Sequence, residues 1–102
     1  GLEPAVQATL QTLREAVQAR RKLLLDYSDV SGQPSQRVVR PLGCFYWGKV
    51  WTLAAWCESR EAFRNFRLDR IAGVKILDSI FRDEAGKTLA DFLRLMGAKP
   101  VT

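Results

Sequence analysis

"ESREAFRNFRLDRI", residues 58–71, admits two readings, and the choice between them sets the fold. As a helix it would align Arg60, Arg64 and Arg67 along one side. Glu58 and Glu61 would then fall near its start, where the helix dipole favours acids. Against that, Phe63, Phe66 and Ile71 make a poor apolar helical stripe, and "GVKIL" just beyond has the aliphatic, β-branched character of a strand. Periodicity alone leaves helix and strand level. The same stretch poses a chemical question, because its arginines either face water or are aimed at something negatively charged.

The flanking segments are plainer. Val6, Leu10, Leu13 and Val17 recur at i, i+4, i+7 and i+11 between polar residues. This predicts an amphipathic helix over 4–20, with proline in its first turn and Arg20, Arg21 and Lys22 suited to its C-terminal dipole. In "KLLLDYSDVSGQP", Leu23, Leu25 and Tyr27 alternate with Leu24 and Asp26 as in a strand, and "DVSGQP" has turn chemistry. "SQRVVRPLGCFYWGKVWTLAAWC" reads as two or three strands. Pro41 marks an edge or a bulge within it, and Gly48-Lys49 a tight hairpin. "KTLADFLRLMG" predicts a short closing helix with Leu89, Phe92, Leu93 and Met96 on one face and Gly97 as its stop. Trp56, Leu10, Leu13 and Val17 are the expected core. A helix, about five short strands and a helix cannot form a doubly wound parallel sheet; a mainly β fold follows, as a small, strongly bent antiparallel sheet or barrel.

At 102 residues and 47% apolar the chain is expected to form one domain, 1–102, with a real core. It begins with Gly rather than Met, which suggests a piece excised from a longer protein. No apolar run approaches the ~20 residues that span a bilayer, and no signal peptide is visible. Cys44 and Cys57 form no C-x-x-C pair, and without histidine there is no familiar zinc set. Two such cysteines are expected to be buried free thiols in a reducing, cytoplasmic setting.

The net charge of +5 is localised. From Arg37 to Lys75 eight bases face three acids, whereas the flanks cancel. Seven of the ten aromatics lie in the same segment: Phe45, Tyr46, Trp47, Trp51, Trp56, Phe63 and Phe66. Interleaved arginines and aromatics on a small sheet suit nucleotides or single-stranded nucleic acid, with guanidinium groups on phosphates and rings on bases. The competing reading is a solvated face, with surface pairs such as Asp69 to Arg70 or Glu61 to Arg64. An enzyme is not expected: there is no histidine to act as a base near neutral pH, no G-x-S-x-G elbow and no P-loop.

From "AVQARRKLLLDYSD" through "RVVRPLG" to "KVWTLAAWCESREAFRNFRLDRIAGVKIL", the chain resembles the WYL domain of bacterial helix-turn-helix transcription regulators. "FRLDRI" and the Arg-x-x-Arg-Pro-Leu run are the most specific pieces. The name-giving tripeptide is altered to Trp51-Thr52-Leu53, with threonine where tyrosine is usual. The resemblance implies a small Sm-like, SH3-type β-barrel with an N-terminal helix, and makes residues 62–68 a strand. It further implies an effector-sensing domain that binds an anionic ligand, nucleotide or single-stranded nucleic acid, with no cofactor. Arg40, Trp51, Thr52, Arg64, Arg67 and Arg70 are the expected binding residues. In a strand, Arg64 and Arg67 point to opposite faces unless a bulge intervenes, whereas Arg67 and Arg70 can converge if the chain bends at Leu68-Asp69. Operator DNA would be reached through an N-terminal domain outside this sequence, and a homodimer is expected. Two other readings stay open: a stand-alone Sm-like nucleic-acid-binding module, and a dimerisation domain whose basic patch has no ligand.

Overall fold

The computed structural model describes residues 2–97. In chain order it contains helix α1 (Pro4–Ala19), strands β1 (Arg21–Ser28), β2 (Pro34–Trp47), β3 (Val50–Cys57) and β4 (Ala62–Arg67), a 3-10 turn (Leu68–Arg70), strand β5 (Ile71–Ile80) and helix α2 (Leu89–Leu95). The strands form one antiparallel sheet in the order β4-β3-β2-β1-β5. Residues 58–71 are therefore a turn, a strand and a 3-10 turn rather than a helix. The reason is two-sided burial. As a strand, the segment sets Phe66 against Leu53 on one face and Phe63 against Trp56 on the other, and both faces are covered. A helix could have buried only one stripe.

The inner face collects Leu23, Leu25 and Tyr27 from β1, Val39 from β2, Leu53, Ala55 and Cys57 from β3, and Phe66 from β4. Helix α1 lies across it and contributes Leu10, Leu13 and Ala16, all buried. Val6 and Val17 are only half-buried, so the inward stripe is centred differently from the expected one. Ala16 takes the place expected of Val17, its small side chain leaving room for the helix against the sheet. The helix ends one residue earlier than expected. Arg20 adopts the left-handed conformation (φ 52°) and its N–H donates to the Ala16 and Val17 carbonyls. Arg21 and Lys22 belong to β1 and do not serve the helix dipole.

Sequence 35–57 gives two strands, not three, and β2 is long at 14 residues. Pro41 sits at a register shift between Pro41 and Gly43. It is a bulge inside an internal strand, where skipping one residue accommodates the missing N–H. The β2–β3 hairpin turns on Gly48 (φ 50°) and Lys49 (φ 73°), the pair of positive φ angles a tight two-residue turn requires.

The sheet bends until its edge strand returns to β1. Tyr27 and Phe66 meet edge to face with ring centroids 5.0 Å apart, and the Arg67 N–H donates to the Tyr27 hydroxyl at 3.1 Å. Among the described residues no ladder joins β4 to β5, so the sheet is open there, where the expectation is a barrel, and β1 meets β4 through the Tyr27 side chain. Trp56, expected in the core, is half-buried. Strand alternation requires this: with Ala55 and Cys57 inward, Trp56 faces outward, in a cross-strand row with Arg40 and Phe63.

Helix α2 covers that outer face. Phe92 is buried and packs against Phe63 at 5.4 Å between centroids. Thr88 and Asp91 form a reciprocal capping box at its start. Met96, expected on the inward side, is exposed, at the C-terminal end of the helix one turn past Phe92. No helix among the described residues is long and apolar enough to cross a membrane.

Candidate anion-binding surface

The six residues expected to bind an anion fall into separate places. Thr52 and Arg67 are cross-strand partners in β3 and β4. Trp51 is next to Thr52 in sequence but on the opposite face, where it packs against the core and against Tyr46 at 5.5 Å between centroids. The guanidinium of Arg14 on α1 lies over the Trp51 ring at 5.4 Å. These groups share the hairpin end of the sheet. A cavity of about 590 Å³ opens there between the start of α1, the β2–β3 hairpin and the 3-10 turn, with Tyr46, Lys49, Trp51, Leu68 and Asp69 in its wall.

Arg67 is held in place by Asp69. Its Nε and Nη2 groups donate to the two carboxylate oxygens at 3.0 and 2.6 Å, the bidentate fork that guanidinium and carboxylate favour. The bond from Arg67 holds the Asp69 carboxyl below its ordinary pKa, and the same pair raises that of Arg67. The expected pairing of Asp69 with Arg70 is thus taken by Arg67. A guanidinium has five N–H donors, so the fork leaves donors on Nη1 and Nη2 for an incoming oxyanion. Arg70 stands at the end of the same 3-10 turn. Among the described residues neither Arg70, Lys49 nor Arg64 forms an ion pair.

Arg64 and Arg67 do lie on opposite faces. Arg64 pairs with Ala55 on the inner side, three residues from Arg67 along β4. Arg40 is further away. It belongs to the Trp56 row of β2, and strand spacings put its Cα ~16 Å from that of Arg67. Its side chain donates to Glu58 at 3.0 Å and Glu84 at 3.2 Å. Lys22 also reaches Glu58, Lys87 reaches Glu84, and Lys87 caps the Trp56 ring at 5.2 Å. Burial works against the charged form of Glu58, but hydrogen bonds from Lys22 and Arg40 outweigh it and lower its pKa. Arg40 is the centre of a chain of alternating charges that ties β1, β2 and the end of β3 to the segment before α2.

Three features escaped the sequence reading. Arg37 points inward opposite Leu25, and its Nη1 is buried with no hydrogen-bond partner. Lys49 enters the site because a hairpin turn projects it beside Trp51. Asn65 lies on the outer face between Phe63 and Arg67, by the alternation of β4; only the choice of strand over helix could have placed it. Of the two thiols, Cys57 is buried and Cys44 half-buried, both free. Burial pushes the Cys44 thiol up to about 11. For Cys57 burial acts the same way, but the neighbouring Ser59 hydroxyl, Arg60 backbone and Arg37 guanidinium hold it below its ordinary value.

Comparison with known proteins gives this arrangement a context. Proteasome accessory factor B/C (PafBC) of Arthrobacter aurescens superposes with a TM-score of 0.74 at 26% sequence identity, over 78% of this chain. The chain spans 13% of that protein's length. The family model of the WYL domain, which occurs in bacterial transcriptional regulators, matches residues 8–76. That match takes in most of α1, all of β1 to β4 and the first half of β5, and so the chain belongs to the WYL domain family.

Proposed function

We propose that this chain is the effector-sensing domain of a cytoplasmic bacterial transcription factor. It binds a negatively charged ligand, a nucleotide or a single-stranded nucleic acid, at the hairpin end of its sheet, and it acts by binding rather than catalysis. The observation that carries this reading is the fixed Arg67 fork beside Thr52, with Arg70 on the following 3-10 turn and Lys49 in the wall of the Trp51 cavity, neither in an ion pair among the described residues. A guanidinium already oriented loses little freedom on meeting a phosphate, and the exposed Tyr46 offers a ring for stacking. Arg40 is left out of the binding set because it lies ~16 Å from Arg67 along the sheet, in the ion-pair network of Glu58 and Glu84, and Arg64 because it lies on the inner face away from Arg67. Operator DNA would be engaged by another domain of the parent protein, working as a homodimer.

The test is the affinity for short single-stranded DNA across a salt series, comparing the parent with Arg67→Ala and Arg70→Ala. Binding should fall with salt, each neutralised phosphate adding ~0.7 to the log–log slope. Each substitution should weaken binding and lower the slope while thermal unfolding stays unchanged. Salt-independent binding, or variants that bind as well as the parent, would return these arginines to a solvated face.

A further inference from the structure

A second cavity lies on the other face of the sheet, under α2. It measures about 320 Å³ and is lined chiefly by Phe45, Trp47, Asn65, Phe92, Leu93 and Met96. Three of these are aromatic, and Asn65 is the one side-chain amide among them. Among the described residues that amide makes no side-chain hydrogen bond. The cavity exists because small residues form the sheet between its walls. Phe45 and Asn65 lie on β2 and β4, on either side of Thr52 and Ala54 of β3. Gly43 keeps the Phe45 ring where it is, since a Cβ there would stand 3.1 Å from Phe45 Cε2. Trp47 and Met96 are well exposed at the rim, at 62% and 61%. Volume, aromatic walls and one convergent polar group are the marks of a small-molecule pocket.

The chemistry of the walls selects the ligand. Aromatic rings and a thioether suit a flat ring system. A primary amide presents a donor and an acceptor side by side, and this matches the paired donor and acceptor edge of a nucleobase, as asparagine does with adenine. Arg67 follows Asn65 by two residues on the same face of β4, so the two Cα atoms stand ~6.6 Å apart. Its guanidinium turns to Asp69, which lines the first cavity. Arg67 lines neither cavity but lies two residues from Asn65 in the wall of one and two from Asp69 in the wall of the other.

We infer that the cavity under α2 is a nucleobase pocket, which holds a base whose phosphate is gripped by Arg67. This rests on the anion-binding reading above and adds the part of the ligand that carries identity. The pocket favours a base with an adjacent donor and acceptor over a bare sugar phosphate.

Calorimetric titration of the chain with AMP, ribose 5-phosphate and adenosine separates the two claims. AMP should bind at least about fivefold more tightly than ribose 5-phosphate, the low end of what stacking one base on aromatic side chains contributes. Trp47→Ser and Asn65→Leu should each shrink that ratio toward one and leave ribose 5-phosphate binding unchanged. Both positions are exposed, so unchanged thermal unfolding is expected and is checked alongside. Arg67→Ala should weaken both phosphates and spare adenosine. Equal binding of AMP and ribose 5-phosphate overturns the base pocket and leaves the anion site standing. Failure of both phosphates, with adenosine still lost in Trp47→Ser, overturns the anion site and keeps the pocket. If Trp47→Ser instead turns a dimer into a monomer without changing the AMP ratio, the face is a self-association surface and the base pocket is overturned.

Discussion

Leu13 shows how much of this fold hangs on single side chains. It is fully buried between α1 and the inner face of the sheet. Leu13→Ala should cost about 2–5 kcal/mol, the span set by how far the site can collapse around the lost atoms. Urea unfolding checks this, and a loss within ~0.5 kcal/mol would mean the inward face of α1 is misplaced. Tyr27 acts differently, because its ring belongs to the core while its hydroxyl accepts the Arg67 N–H. Tyr27→Phe keeps the ring contact with Phe66 and removes the acceptor. The stranded N–H should cost about 1–3 kcal/mol, and faster amide exchange at Arg67 should accompany the loss. The sequence places both Trp51 and Thr52 near Arg67. Their opposite facings follow from strand alternation alone and are legible in residues 50–57 as a strand.

Among the elements, β4 and α2 carry most of the functional argument. Family resemblance makes residues 62–68 a strand where spacing leaves helix and strand level; pairing with β3 decides it, and pairing is a long-range contact that local periodicity does not contain. Helix α2 is only seven residues long, too short to stand alone in water. Packing of Phe92 and its capping box hold it. The Asp91 carboxylate accepts hydrogen bonds from the Thr88 N–H, the Thr88 hydroxyl and the Gly86 N–H, at 3.1, 2.8 and 2.8 Å, and also pairs with Arg94. The bonds from Thr88 are the main reason its pKa falls to about 2 from an ordinary 3.8. Because the folded value is the lower one, this contribution is complete above about pH 4. It is lost as the pH falls toward 2. Acid titration followed by NMR should show residues 86–95 loosening in that window, ahead of the inner face of the sheet. Asp91→Asn should remove the transition, and a helix that frays equally in both proteins would speak against it.

For the molecule as a whole, the question is where the +5 charge acts. The fold divides the eight bases of the basic middle among four settings. Arg40 with Lys22 and Lys87 is neutralised by Glu58 and Glu84 and braces the structure. Arg37 and Arg64 face inward, and Arg60 and Lys75 are exposed on the β3–β4 turn and on β5. At the hairpin end stand Arg67, paired with Asp69, and Arg70 and Lys49, which form no ion pair among the described residues. The salt slope of DNA binding should therefore reflect two or three phosphates rather than eight. An apparent slope of about 1.4–2.1 is expected for a single strand, and a slope several-fold larger would mean that the whole basic segment is engaged. The sequence by itself determined the mainly β composition, the two terminal helices, the hairpin at Gly48-Lys49 and the concentration of charge. These depend on neighbours a few residues apart, whose spacing and turn preferences are written locally. Tertiary structure alone decided which arginines are free, that Asn65 and Trp47 share a cavity, and that Trp56 faces outward. Each of these depends on strand register and on which helix covers which face, so it is set by contacts between residues far apart in the chain.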